Sequence, residues 1–222
     1  MSAILFGSIS TIADTSELQR TAFNRAFAAH GLDWNWDRDT YLGMLESSGG
    51  AKRIAEYAES VGATVDAKAV HESKSEFFRE SLAGSGVRPR SGVIDTMKAA
   101  KDKGSKVALV TTTSPDNVGA LVAALGPDIT VGDFDLIVDS STVDQPKPDR
   151  AAYSYAIRTL DETAESCVAI EDNLNGVDAA VASGLSCVAF PNENTAGHDF
   201  AKAAQRVDRL DFEELQKVTR TA

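Results

Sequence analysis

Ile4-Leu5-Phe6-Gly7-Ser8-Ile9-Ser10-Thr11-Ile12-Ala13-Asp14-Thr15 begins with a short apolar run, passes through a turn and reaches the start of a helix. A run this short and continuously apolar reads as a strand buried on both faces. Asp14-Thr15-Ser16-Glu17 has the capping-box pattern, with Asp14 as N-cap and Glu17 reaching back. Leu18, Ala22, Phe23, Ala26 and Phe27 follow at helical spacing, and Gly31 stops the helix. Carboxylates at the end of such a strand would mark a catalytic site. Gly7-Ser8-Ile9-Ser10 carries none, so the first question is whether chemistry occurs here.

Working outward, four further apolar runs recur: Val107-Ala108-Leu109-Val110, Leu136-Ile137-Val138, Val168-Ala169-Ile170 and Val188-Ala189-Phe190. Helical patterns accompany them, over Val93 to Lys103, Asn117 to Ala124, Arg150 to Leu160 and Gly176 to Ser183. Strand and helix in alternation predict an α/β fold with a Rossmann-like, doubly wound parallel sheet. Thr15 to about Ser85 is too long for one crossover and reads as successive helices, with Ile54, Tyr57, Ala58 and Val61 marking one and the stretch from Asp66 to Ala83 another. The expected organisation is a core of residues 1–14 and 87–222 with an all-helical insertion over 15–86. A chain of 222 residues, 43% hydrophobic, has enough apolar material for such a core.

The 33 acidic residues outnumber the 22 basic ones, for a net charge of -11, which disfavours nucleic acid and anionic membranes as partners. Cys167 and Cys187 both lie inside apolar strands and read as small buried thiols, with neither metal spacing nor a disulfide framework. The N-terminus runs directly into a strand and no stretch approaches membrane-spanning length, so a cytoplasmic protein is expected.

Ligands of open α/β sheets bind beyond the carboxyl ends of the strands. Thr111-Thr112-Thr113-Ser114 stands there, with hydroxyls and amides before a helix N-terminus; it suits a phosphate, or serves as ordinary turn chemistry. Lys147 lies between Pro146 and Pro148, which fix the backbone and aim the side chain. Glu171-Asp172-Asn173 ends the fourth strand; paired carboxylates there call for a metal or a cation, unless Asp172 or Asn173 is simply a helix cap. In the insertion, Ser47-Ser48-Gly49-Gly50-Ala51-Lys52-Arg53 places Lys52 and Arg53 in a first helical turn, opposed to the helix dipole, where an anion would relieve them. Arg90 is a weaker candidate of the same kind. His30, His71 and His198 have no ligand or nucleophile spacing and receive no chemistry.

Together these segments resemble the haloacid dehalogenase superfamily over nearly the whole chain. Phe190-Pro191-Asn192-Glu193-Asn194-Thr195-Ala196-Gly197-His198-Asp199-Phe200 and Ala29-His30-Gly31-Leu32-Asp33-Trp34 are similar to the CbbY-type sugar-phosphate phosphatases in particular. The resemblance implies that the helical insertion is a cap. It implies an aspartate nucleophile and a second aspartate as general acid/base at the positions held by Gly7 and Ile9, with magnesium at a site to which Asp172 and its neighbour Glu171 belong. It assigns phosphate binding to Thr111, with Thr112 and Ser8 beside it, and to Lys147. The relatives use a Gly-Gly-Lys segment of the cap for substrate recognition, which points to Lys52 and Arg53.

Two catalytic carboxylates are therefore absent from an otherwise matching site. With them go a metal ligand and about two negative charges. The expectation is weak or absent magnesium binding, with a Lys147–carboxylate pair in the metal's place. Ser8 has no evident base and points to the other side of the strand end, against a serine rescue. Three readings follow: an impaired phosphatase relative that binds phosphate or a sugar phosphate, an active hydrolase with an altered mechanism, or an interaction protein with a closed site.

Overall fold

The computed structural model describes residues 1–45 and 49–219. Strand β1 (Ala3–Phe6) leads through a one-turn helix, α1 (Ile9–Ile12), into α2 (Ser16–Ala29), α3 (Arg38–Gly43), α4 (Gly50–Ser60) and α5 (Ala67–Ala83). The chain continues as α6 (Val93–Asp102), β2 (Lys106–Val110), α7 (Pro115–Leu125), β3 (Leu136–Val138) and α8 (Ala151–Thr159). It ends with β4 (Cys167–Glu171), α9 (Leu174–Ala182), β5 (Ser186–Ala189), β6 (Gln205–Arg206) and α10 (Phe212–Val218). The described strands form one parallel sheet in the order β3-β2-β1-β4-β5-β6. This is the doubly wound α/β architecture that the alternation predicts, with its switch point between β1 and β4.

Three elements escape the sequence pattern. β6 is two exposed polar residues at a sheet edge, and α3 and α10 are too short for a clear helical period. The capping box at Asp14 also differs from expectation. Asp14 Oδ1 accepts from the Ser16 amide and hydroxyl, at 3.0 and 2.6 Å, and the helix begins one residue later with no side-chain cap from Thr15. Glu17 turns instead to Arg20 at 2.9 Å and to Asn194 at 3.0 Å.

Side-chain alternation divides the core. Ile4 and Phe6 face a cluster with Val93, Met97 and Leu121, whereas Ala3 and Leu5 face Tyr153, Ala156 and Ala180. Phe23, Phe27, Trp36, Tyr41, Ile54 and Val70 form a third cluster within the inserted helices. That insertion is not sealed off, because Ala22, Phe78 and Leu82 belong to the first cluster.

The same alternation decides what happens beyond the strand ends. Phe6 pairs in register with Ile170, so residues 7 and 171 are neighbours pointing to the α8 face. Glu171 is fully buried, and its carboxyl group lies over Gly7. A Cβ on Gly7 would overlap Glu171 Oε1 and Tyr153 Oη, and a Cβ on Gly176 would overlap the same carboxyl group. Gly7 is needed for space rather than for its torsion angles, since it is not among the glycines with positive φ. Gly7→Ala is expected to cost about 1–3 kcal/mol by overpacking. In urea unfolding, that cost should shrink but not vanish in a Glu171→Ala background, because the overlap with Tyr153 Oη remains.

Candidate functional site

The strand ends β1, β2 and β4 converge on Lys147. Its ammonium donates to Gly7 O, to Val110 O at 2.7 Å and to Glu171 Oε1 at 2.6 Å, so all three hydrogens have protein acceptors. Tyr153 Oη donates to the same Glu171 oxygen at 2.8 Å, and the ammonium sits 4.4 Å from the Tyr153 ring centroid. Burial raises the Glu171 pKa, while Lys147 works against that rise and Asp172 adds to it. Glu171 Oε2 has no hydrogen-bond partner. Lys147 is 7% exposed, so the expected Lys147–carboxylate pair is a buried ion pair.

Asp172 points the other way and lines the cavity above the strand ends. Oδ1 accepts from Ser8 Oγ at 2.7 Å and Asn173 Nδ2 at 2.9 Å, and Oδ2 accepts from Asn192 Nδ2 at 2.7 Å. Ser8 does project away from the Gly7 side, as alternation requires, yet that direction brings it to Asp172. A carboxylate is thus beside it after all. Ser8 Oγ nevertheless caps α1, accepting from the Ser10 and Thr11 amides at 3.1 and 3.2 Å. With both lone pairs engaged it is a poor nucleophile. Asn173 caps α9 through the Gly176 amide, the role weighed for it from sequence. Among the described residues, no group of three or more His, Cys, Asp or Glu is placed to hold a metal ion.

The cavity has a volume of about 490 Å³ and runs from these strand ends to the inserted helices, within the range of small-molecule sites. Its floor includes Ser8, Ile9, Thr111, Thr112, Lys147 and Asp172. Its helical wall includes Gln19, Phe23, Tyr41, Arg53, His71 and Lys74. Thr111 Oγ1 accepts from the Thr113 amide at 3.2 Å, which is turn chemistry.

The two basic cap candidates separate. Arg53 faces the cavity, donates to Met44 O at 3.0 Å and lies 5.7 Å from the Tyr41 ring centroid. Lys52 is on the outer side of α4, exposed and 3.6 Å from Glu56, and does not line the cavity. Ser47 and Ser48 lie outside the described residues. Arg90 is a correction: its guanidinium donates to Ser10 O at 3.1 Å, to Phe190 O at 2.8 Å and to Pro191 O, and stacks 3.4 Å from the Phe190 ring centroid. Those carbonyls occupy it as a brace.

Lys74, His71 and Tyr153 were missed from sequence. Lys74 is 5% exposed and donates to Gln19 Oε1 with Phe23 and Phe78 around it. Among the described residues no carboxylate pairs with it. A signal was available, because Val70, Lys74, Phe78 and Leu82 recur every four residues, placing a cation in an apolar stripe. Burial, with a smaller contribution from Arg53, lowers the Lys74 pKa to about 7. His71 is lowered to about 4 by burial, then by Lys74 and Arg53.

Removing Lys147 alone strands the Glu171 carboxylate. Lys147→Met is expected to destabilise by about 3–5 kcal/mol, and Lys147→Met/Glu171→Leu to recover most of that loss in urea titrations. Lys74 gives a signed pH dependence. Its folded pKa lies below its unfolded one, so wild-type stability rises with pH from about 7 toward the ordinary lysine range. Lys74→Met should therefore raise Tm near neutral pH, by about 2–4 °C per kcal/mol relieved. In thermal melts this advantage should vanish toward pH 10.

With this geometry in place, the likeness to known proteins is specific. Residues 1–184 match the haloacid dehalogenase-like hydrolase family. Protein CbbY of Cereibacter sphaeroides is 39% identical over 209 residues, covering 93% of this chain and 91% of that protein. CbbY of Rhodobacter capsulatus is 35% identical over 221 residues, covering 98% and 97%. The crystal structure of CbbY from Rhodobacter sphaeroides in complex with phosphate superposes with a TM-score of 0.86 at 38% identity, covering 94% of both chains. A point mutant of that protein in complex with xylulose-(1,5)bisphosphate gives 0.88 at 37%, covering both chains in full. The chain belongs to the haloacid dehalogenase-like hydrolase family and is a CbbY-type member of it.

Proposed function

We propose that this chain binds a small phosphorylated ligand, of the sugar-phosphate class, without hydrolysing it. One observation carries the reading: the volume that a side chain at position 7 would occupy is filled by Glu171, which is tied to Lys147 and Tyr153. By family resemblance that position belongs to the nucleophile, and position 9, the apolar Ile9, to the general acid/base. Ser8 does not replace them, because its oxygen is already engaged by two amides and Asp172. Loss of a nucleophile or its partner costs several orders of magnitude in rate.

The family's magnesium does not fit the residues present. Asp172 is the carboxylate that lines the floor, and its oxygens accept from Ser8, Asn173 and Asn192. Glu171 is committed to Lys147, whose ammonium already sits among the oxygens of Gly7, Val110 and Glu171. Lys147 thus matches the charge of Glu171, and Asp172 is left as the single carboxylate lining the cavity among the described residues, too few anionic ligands for magnesium.

Anion binding is supported at the helical wall, where Lys74 lacks a carboxylate partner among the described residues and Arg53 and His71 stand close to it. The complexes of the relatives with phosphate and with a sugar bisphosphate support the ligand class. The open cavity counts against a closed, vestigial site.

In thermal-shift assays with a chelator present, phosphorylated sugars should raise Tm, and added magnesium should leave the shift unchanged. Phosphate release should match the background of an Asp172→Asn variant. Turnover well above that background would overturn the reading.

A further inference from the structure

The two ends of the cavity differ in charge chemistry. Arg53, Lys74 and Lys147 are the Lys and Arg side chains lining it among the described residues. Lys147, the one at the floor, has all three hydrogens on protein oxygens and its charge matched by Glu171. Arg90 is held by three carbonyls and does not line the cavity. The floor therefore presents no ammonium or guanidinium hydrogen to a ligand.

What the floor does present is Asp172. A carboxylate has about four acceptor sites, and Ser8, Asn173 and Asn192 use three. The remaining one suits a donor. A sugar hydroxyl supplies a donor, whereas a phosphate dianion has none and adds like charge beside a carboxylate lacking a metal. Around Asp172 the surface is neutral and polar, with Thr111, Thr112, Asn192 and Thr195.

We propose that the strand-end floor takes an uncharged, hydroxyl-bearing group and rejects a phosphate, so that the ligand carries a single phosphate, held at the helical wall. This rests on the sugar-phosphate reading and adds a polarity to it. A ligand with a phosphate at each end is excluded from tight binding, even though the cavity is lined by both floor and wall residues.

Matched pairs test it by isothermal calorimetry with a chelator present: xylulose 5-phosphate against xylulose 1,5-bisphosphate, and fructose 6-phosphate against fructose 1,6-bisphosphate. The expected result is a monophosphate at least tenfold tighter than its bisphosphate in at least one pair. Asp172→Asn, checked for folding by its melting curve, should narrow that gap to less than threefold. The wild-type comparison stands alone if the variant does not fold. Bisphosphates that bind as tightly as monophosphates, or more tightly, overturn the polarity and leave the sugar-phosphate reading intact. If neither member of either pair binds, both readings fall.

Discussion

A buried lysine–glutamate pair organises the centre of this molecule. Three strands deliver their ends to Lys147: β1 through the Gly7 carbonyl, β2 through the Val110 carbonyl and β4 through Glu171. Taking two charges out of water is expensive, and the pair persists because each charge is closely bonded. Its geometry requires an empty position at residue 7 and another at residue 176, both of which are glycine. The interaction that knits the sheet's carboxyl edge together also fills the space beside Gly7. The same two glycines that make room for the pair leave no side chain at either position.

Much of this was legible in the sequence. Continuous apolar runs gave the strands β1 to β5, because a strand buried on both faces leaves no other pattern. The family strings gave the position of Lys147 and the carboxylates, and charge matching between them followed from the absence of side-chain carboxylates at Gly7 and Ile9. Other features depended on distant partners. The overlap between a residue at position 7 and Glu171 follows from strand register, which one strand's sequence does not specify. The roles of Arg90 and Lys52 turned on which carbonyls or solvent lay nearby. Tyr153 became a partner of Glu171 through helix packing over small residues such as Ala3 and Ala169. Lys74 was recoverable from its place in an apolar stripe, a pattern more informative than the Gly-Gly segment that drew attention to Lys52.

The distribution of charge within the cavity separates this chain from a generic anion site. The net charge of -11 says little about the interior. Inside, positive side chains gather on the helices while the sheet end is internally compensated. Aromatic rings of Phe23 and Tyr41 lie beside the Arg53 guanidinium and the Lys74 ammonium, favouring cations that burial would otherwise penalise. The rings offset part of the burial cost at the helical wall, where Lys74 has no acidic partner among the described residues and its pKa still falls to about 7.

One helix carries a consequence beyond the site. α5 places Val70 in the cluster of the inserted helices, Lys74 at the cavity, and Phe78 and Leu82 in the cluster beneath the sheet. A 17-residue helix is about 25 Å long, and its two halves cannot be parted without breaking it. The insertion and the sheet therefore share a cooperative folding unit: amides of α5 should exchange with solvent together with those of β1 and β2 rather than with the surface turns of the insertion. A change of charge or packing at Lys74 is consequently felt by the whole fold.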